Sequence, residues 1–269
     1  MSGSTGSYAR GVANTIGRAA WSADRADQAA EVLWQAWQRG ELIDHLPADC
    51  TPGSMEEGHA VQARLAERTG SRFGWKIAAT STAGQRHIAV DRPLAGRLFT
   101  RYVVEDGSRV SVSAGHMHML VAEAEFAFRV GSGGELADEM YLAIELPDSR
   151  FARFEVAGGP QLVADNACGS RFVLGPAVPG WRQVDLVEQA VVVKLNGDEA
   201  AVGAGGNVMS GPFETLAWLA NELTRYNETL LPGDIVTTGV AALPVPVRGG
   251  DHVVAEFPSL GSVSVRFDP

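Results

Sequence analysis

The sequence predicts an α+β fold, with a small helical region over residues 1–70 and a β-rich domain over 71–269. Three observations carry this expectation. Apolar residues recur with a period near 3.6 up to Gly70 and near 2 beyond it. The 31 glycines and 13 prolines supply the turns that a chain of many strands needs. Hydrophobic residues make up 45% of the 269, enough to bury a sizeable core.

Two helices come first. Ala29, Val32, Leu33, Ala36 and Trp37 fall at helical spacing and form one apolar stripe, with Gly40 as its stop. Pro52-Gly53-Ser54 marks a turn, and Ser54 with Glu57 matches a capping box. Gly58, Val61 and Leu65 continue the buried face of this second helix, which ends near Gly70. Strands are expected around Lys76 and over 121–130, 142–146, 191–195, 235–238, 253–257 and 263–267. Asn196-Gly197 is a two-residue hairpin signal. One helix interrupts the strands: Gly211-Pro212 opens it, Phe213, Leu216, Ala217, Ala220 and Leu223 form its stripe, and it stops before Pro232-Gly233.

Charge narrows the functional class. The formal net charge of −10 excludes nucleic acid and anionic membrane as main partners, because both require a basic face. Cys50 and Cys168 are the two cysteines, too few for a metal knuckle or a disulfide framework, so a reducing cytoplasm is the expected compartment. The start of the sequence shows no basic segment followed by an apolar one, and no run reaches the roughly 20 apolar residues of a membrane span. Of 22 basic residues only Lys76 and Lys194 are lysine, the cation whose protonation burial can tune. Lys194 lies beside the hairpin turn and is read as a surface residue.

The chemistry concentrates in acidic residues. Alternation along 121–130 puts Ala122, Ala124, Phe126 and Phe128 on one face and Glu123 and Glu125 on the other. Two carboxylates so placed repel, and when buried they need a cation between them or a raised pKa. Glu145 sits in a second apolar run, where an unpaired charge is costly. Three carboxylates without a nearby thiolate suit a hard divalent ion. A solvated strand face is the competing reading of Glu-x-Glu alone. His116 and His118 differ in parity from Glu123 and Glu125, so an unbroken strand would keep them off the acidic face. Gly203-Ala204-Gly205-Gly206 is followed by no Lys-Ser/Thr and is no phosphate loop.

Six motifs in order now resemble a known family. They are Gly74-Trp75-Lys76-Ile77, Glu123-Ala124-Glu125, Ala143-Ile144-Glu145 with Asp148-Ser149-Arg150, Asp165-Asn166-Ala167, Ala217-Trp218-Leu219-Ala220-Asn221, and Thr237-Thr238-Gly239 after Pro232-Gly233-Asp234. Together they are similar to the 2-keto-4-pentenoate hydratase and 4-oxalocrotonate decarboxylase family, within the fumarylacetoacetate hydrolase-like superfamily. The resemblance implies a mixed-sheet β-roll of the fumarylacetoacetate hydrolase C-terminal-domain type, assembled as a homo-oligomer. It implies Mg²⁺ or Mn²⁺ held by Glu123, Glu125 and Glu145, with Lys76 in the active site, catalytic or gripping the substrate carboxylate. A small 2-oxo or 2-hydroxydienoic acid would be the substrate, as in meta-cleavage degradation of aromatic compounds.

Two positions depart from the family pattern. Leu94, in Asp91-Arg92-Pro93-Leu94, stands where many members carry an acid, and Cys168 stands where serine is common. Cys168 is still placed against the substrate as a weak donor. His87 and Asp91, read as lying in the loop after the Lys76 strand, are the ionisable candidates for the missing acid, with His87 favoured because an imidazole titrates near neutrality. The leading function is metal-dependent hydration of a 2-hydroxy-2,4-dienoate to a 4-hydroxy-2-oxo acid. The alternatives are decarboxylation of a 2-oxo-3-enedioate, acylpyruvate hydrolysis, or a non-catalytic partner subunit of the same fold.

Overall fold

The structure, a computed structural model, describes residues 21–112, 117–132 and 136–269. Helix α1 (Ala23–Arg39) starts where the Ser22 hydroxyl accepts from the Arg25 N–H and ends at Gly40, whose φ of 63° only glycine adopts freely. Helix α2 (Met55–Thr69) starts at Ser54, which accepts from the Glu57 N–H at 3.2 Å. Glu57 reciprocates one residue early, accepting from the Gly53 N–H. The two helices bury Ala29, Leu33, Trp37, Val61 and Leu65 together with Phe99, Phe151 and Ala164, and so are fastened onto the strands.

The strands are β1 (Arg72–Ala78), β2 (Leu94–Phe99), β3 (Val103–Glu105), β4 (Arg109–Ser111), β5 (Val121–Arg129), β6 (Glu139–Leu146), β7 (Arg171–Ala177), β8 (Ala190–Leu195), β9 (Asp198–Ala204), β10 (Ile235–Thr237), β11 (Val245–Pro246), β12 (His252–Phe257) and β13 (Gly261–Asp268). They form a mixed sheet ordered β2-β1-β10-β5-β6-β7-β3, with β11 against β5, and a second sheet ordered β4-β13-β12-β8-β9. The pairs β1–β10 and β3–β7 run parallel, and the other pairs of the first sheet run antiparallel. Asn196 and Gly197, at φ 56° and 97°, make the expected hairpin between β8 and β9.

Between the sheets lies the main core: Trp75, Ile77, Phe126, Phe128, Leu142 and Ile144 from the first, and Val193, Val253, Phe257 and Phe267 from the second. Phe126 meets Phe257 edge-on at 5.0 Å across the gap. Alternation then decides the other face. With Trp75, Phe126 and Ile144 turned inward, Lys76, Glu123, Glu125 and Glu145 must point outward from that core. The outward face is not bare. Helix α4 (Gly159–Ala164) and the 3-10 turn Asn166–Cys168 lie over β1 and β2 and cover part of it.

Some elements differ from the expectation. Helix α5 (Glu214–Thr224) starts after Pro212, and its core face is Leu216, Leu219 and Leu223, while Phe213 and Ala217 are exposed. The segment after β1 is a short helix, α3 (Thr82–His87), capped by Ser81, rather than a loop. Its six residues carry no apolar stripe that could announce it. No helix among the described residues is long and apolar enough to cross a membrane.

Gly74 is fixed by the parallel pairing. It lies opposite Ile235 of β10, and a Cβ there would come within 1.8 Å of the Ile235 carbonyl oxygen. Gly74→Ala is expected to cost about 1–3 kcal/mol or more, the range for overpacking. Urea unfolding of the two proteins side by side checks this, and an unchanged midpoint would show that β1 and β10 part freely.

Candidate metal centre

Strand register assembles the acids. In the antiparallel pair β5–β6, Glu123 stands directly opposite Glu145, and Glu125 lies two residues along the same face. One carboxylate oxygen from each of the three lies within 4.8 Å of the others. Glu125 and Glu145 are 0% and 1% exposed, and Glu123 keeps part of its surface in solvent. The Glu125 carboxylate accepts one hydrogen bond, from the Gly239 N–H at 3.0 Å. Its second oxygen and Glu145 Oε2 accept none, and Glu145 Oε1 has only an ion pair.

Lys76 completes the group. Its ammonium lies 3.0 Å from Glu145 Oε1 and donates to the Ala167 carbonyl at 2.9 Å. Lys76 stands on β1 and Glu145 on β6, with β10 and β5 between them. Three steps at about 4.8 Å each make roughly 14 Å on a flat sheet, too far for two perpendicular side chains to meet. The sheet therefore curls around the acids.

Burial sets the electrostatics. Loss of water, reinforced by the Glu145 charge, pushes the Glu123 carboxyl up to about 7, with Lys76 opposing. Burial pushes Glu125 well above its usual range, and Glu145 and Glu123 add to this against Thr237 and Lys76. Burial works to discharge Lys76, but the surrounding carboxylates outweigh it, so the lysine is held protonated. Buried, unpartnered and convergent carboxylate oxygens are what a hard divalent cation requires as ligands. The residues present fit such an ion.

A strained turn forms one wall. Asn166, Ala167 and Cys168 have φ of 58°, 51° and 59° in succession, a left-handed run that costs about 1–2 kcal/mol for each ordinary residue. Buried bonds hold it. Asp165 accepts from the Ser149 hydroxyl at 2.7 Å, from the Arg150 N–H at 3.0 Å, and from the Arg150 guanidinium. Asp148 accepts from the His118 and Met119 N–H groups at 2.7 and 3.0 Å.

Glu123, Glu125, Glu145 and Lys76 are thus brought together, and Cys168 is buried close enough for its charge to couple to Lys76 and Glu145. Burial pushes the Cys168 thiol up to about 12, which keeps it neutral. His87 and Asp91 are not brought in. His87 is exposed and lies edge-on to Phe154, and Asp91, with an 87% exposed side chain, pairs with Arg92. Neither has a hydrogen bond or ion pair with the acids or with Lys76. Leu94 is buried among Ile88, Leu162, Ala167 and Cys168, so an apolar contact occupies the position of the expected acid. His116 lies outside the described residues. His118 precedes β5 and Leu120 (φ 47°) bends the chain between them, so strand parity does not extend to it. Lys194 is half-exposed and pairs with Glu256 on the second sheet.

Residues 89–268 match the family described as fumarylacetoacetate (FAA) hydrolase C-terminal. The chain belongs to the fumarylacetoacetate hydrolase family. Among relatives, it is 32% identical to 2-keto-4-pentenoate hydratase 1 of Dechloromonas aromatica, over 90% of this chain and 96% of that one. It is 32% identical to 4-oxalocrotonate decarboxylase of Pseudomonas putida, over 77% and 81%. The solved 4-oxalocrotonate decarboxylase of Pseudomonas putida G7, complexed with magnesium and adipate, superposes with a TM-score of 0.84 at 28% identity, covering 92% of this chain and 99% of that one. The mixed, curled sheet is thus the fold of the fumarylacetoacetate hydrolase family, and the three acids lie within the matched span.

The raised carboxyl pKa values make a signed prediction. Between the ordinary glutamate range and about 7, Glu123 holds a proton in the metal-free fold that the unfolded chain has lost. Metal-free protein should therefore lose stability as pH rises from 5 to 8. Mn²⁺ competes with the same protons, so its affinity should climb over that range. Melting curves with and without Mn²⁺ read both trends. Equal Mn²⁺ affinity at pH 5.5 and 7.5 would contradict them.

Proposed function

We propose that this chain is a divalent-metal-dependent hydratase that adds water to a 2-hydroxy-2,4-dienoate, through its 2-oxo tautomer, and releases a 4-hydroxy-2-oxo acid. The observation that carries this reading is the convergence of Glu123, Glu125, Glu145 and a protonated Lys76 in one largely buried cluster. Mg²⁺ or Mn²⁺ is the proposed ion, held by the three carboxylates, since both take oxygen ligands and leave positions for substrate. Such an ion supplies Lewis acidity that draws negative charge toward the 2-oxo oxygen of the substrate.

The chain's own groups do the rest. Lys76, held protonated, can grip the substrate carboxylate or deliver a proton during ketonisation. Cys168 stays a thiol and contributes a weak donor rather than a nucleophile. The cover over β1 and β2 limits the access of bulk water to the reactive tautomer. No contact in the structure supports a proton-transfer role for His87 or Asp91.

The relatives' names support hydration and decarboxylation alike. A diacid substrate of the decarboxylase type needs a second cation, and among the described residues Lys76 is the one basic group whose charge reaches Glu123 and Glu125. Arg97 and Arg150 are committed to Gln62 with Glu228 and to Asp165. This favours a monoacid and hence hydration. Decarboxylation stays the second reading because the decarboxylase of similar structure is complexed with adipate, a diacid. We also propose a homo-oligomer: Val202, on β9, and Leu243, beside the bridge from Gly203 to Ala242, are 59% and 76% exposed, apolar surface that a second copy would cover. Light scattering after size exclusion reads the assembly.

With Mg²⁺ or Mn²⁺, dienoate absorbance should decay without release of CO₂. Decay with stoichiometric CO₂ from a 2-oxo-3-enedioate would select the second reading. Lys76→Met should lower turnover by about 10²–10⁴-fold with an intact circular dichroism spectrum, the range for a positioned acid or base. His87→Gln and Asp91→Asn should both stay near the parent rate. A large loss in either would restore the role expected from the sequence.

A further inference from the structure

Among the described residues, the ammonium of Lys76 has one hydrogen-bond acceptor outside the acidic group, the Ala167 carbonyl at 2.9 Å. Its other contact, Glu145, belongs to the proposed metal ligands. A lysine on a flexible four-carbon stem keeps a fixed position only if something other than those ligands anchors it. Ala167 is that anchor, and its carbonyl points at Lys76 because Asn166, Ala167 and Cys168 are all held at positive φ.

Besides the bonds around Asp165, a two-bond clamp holds them. The buried Asn166 side chain accepts from the Arg97 N–H at 2.7 Å and donates to the Arg97 carbonyl at 2.8 Å. Arg97 is the neighbour of Gly96, and Gly96 stands directly opposite Lys76 in the β1–β2 pair. A Cβ on Gly96 would lie 2.3 Å from the Asn166 carbonyl oxygen and 3.0 Å from Lys76 Cδ. One on Gly169 would lie 2.6 Å from Asn166 Nδ2. Strand β2, the turn and the lysine therefore converge on a spot that two glycines keep clear. From this geometry we propose that Asn166 is the positioning residue for Lys76: by clamping Arg97 it aims the Ala167 carbonyl at the ammonium and fixes where the lysine stands.

The proposal rests on the hydratase reading only in giving Lys76 a part in turnover. Asn166→Gly tests it, because glycine takes a positive φ without strain while the clamp and the long bond to the Gly169 carbonyl are lost. Lys76 and Lys194 are the only lysines in the chain, so ¹⁵N-lysine labelling of Mg²⁺-loaded protein gives two side-chain signals, with Lys194 as internal control. In Asn166→Gly the Lys76 signal should shift and exchange faster with water while the Lys194 signal stays fixed. On a dienoate, kcat should fall by about 10–10²-fold with KM little changed, the loss expected of a misplaced group. The double variant Asn166→Gly/Lys76→Met should be no slower than Lys76→Met alone. An unchanged Lys76 signal, or losses that multiply in the double variant, would overturn the proposal. If Asn166→Gly does not fold, Asn166→Asp keeps the acceptor and removes the donor, and the same two signals decide. A parent protein that turns over no dienoate would sink the hydratase reading alone, because the lysine signals do not depend on turnover.

Discussion

Three carboxyl groups share a space from which water is largely excluded, and they cannot all be charged there without a compensating cation. Glu123 faces Glu145 across two strands, and Glu125 is two residues further on the same face. Lys76 supplies one positive charge against them. The remaining imbalance appears as raised Glu123 and Glu125 pKa values and as carboxylate oxygens without hydrogen-bond donors. A divalent ion removes both penalties together. The proposed metal centre would thus carry protons in place of its ion, which links stability, pH and metal affinity through it.

The rest of the fold meets this constraint from two sides of one sheet. On one side, Trp75, Phe126 and Ile144 pack into the core between the sheets, and that packing fixes the strand register. A slip of one residue would turn every acid into the core, so the apolar face enforces the placement of the charged one. On the other side, curling brings β1 to β6 closely enough for Lys76 to reach Glu145. The turn at Asn166–Cys168 then covers the lysine and contributes a carbonyl. Its left-handed backbone is tolerated because Arg97 bonds to the Asn166 side chain and Arg150 bonds to the Asp165 and Gly169 carbonyls that flank it.

Periodicity made some of this legible in the sequence and left other parts hidden. The apolar alternation of β5 placed Glu123 and Glu125 together because it depends on neighbours along one strand. That Glu145 lies opposite Glu123 is a fact of pairing between strands, and the motif resemblance supplied it before any geometry did. The anchor of Lys76 was hidden for the same reason: Ala167 is 91 residues away. Asn166 was visible as part of a motif, but three successive positive φ values leave no compositional mark when the residues are Asn, Ala and Cys. Short strands such as β3, β4 and β11 carry too few residues for a period. The face of α5 was misjudged because Ala217 is apolar without being buried. His87 and Asp91 are close to Lys76 in sequence, but α3 with the turn after it leaves both at the surface.

The central claim is that Glu123, Glu125 and Glu145 form one cation site. Anomalous diffraction at the manganese edge, from crystals of the full chain grown with Mn²⁺, tests it most directly. A single strong peak within bonding distance of one oxygen from each of the three carboxylates, with Lys76 still against the Ala167 carbonyl, is the predicted result. A peak elsewhere, or none while Mn²⁺ binds in solution, would contradict the account.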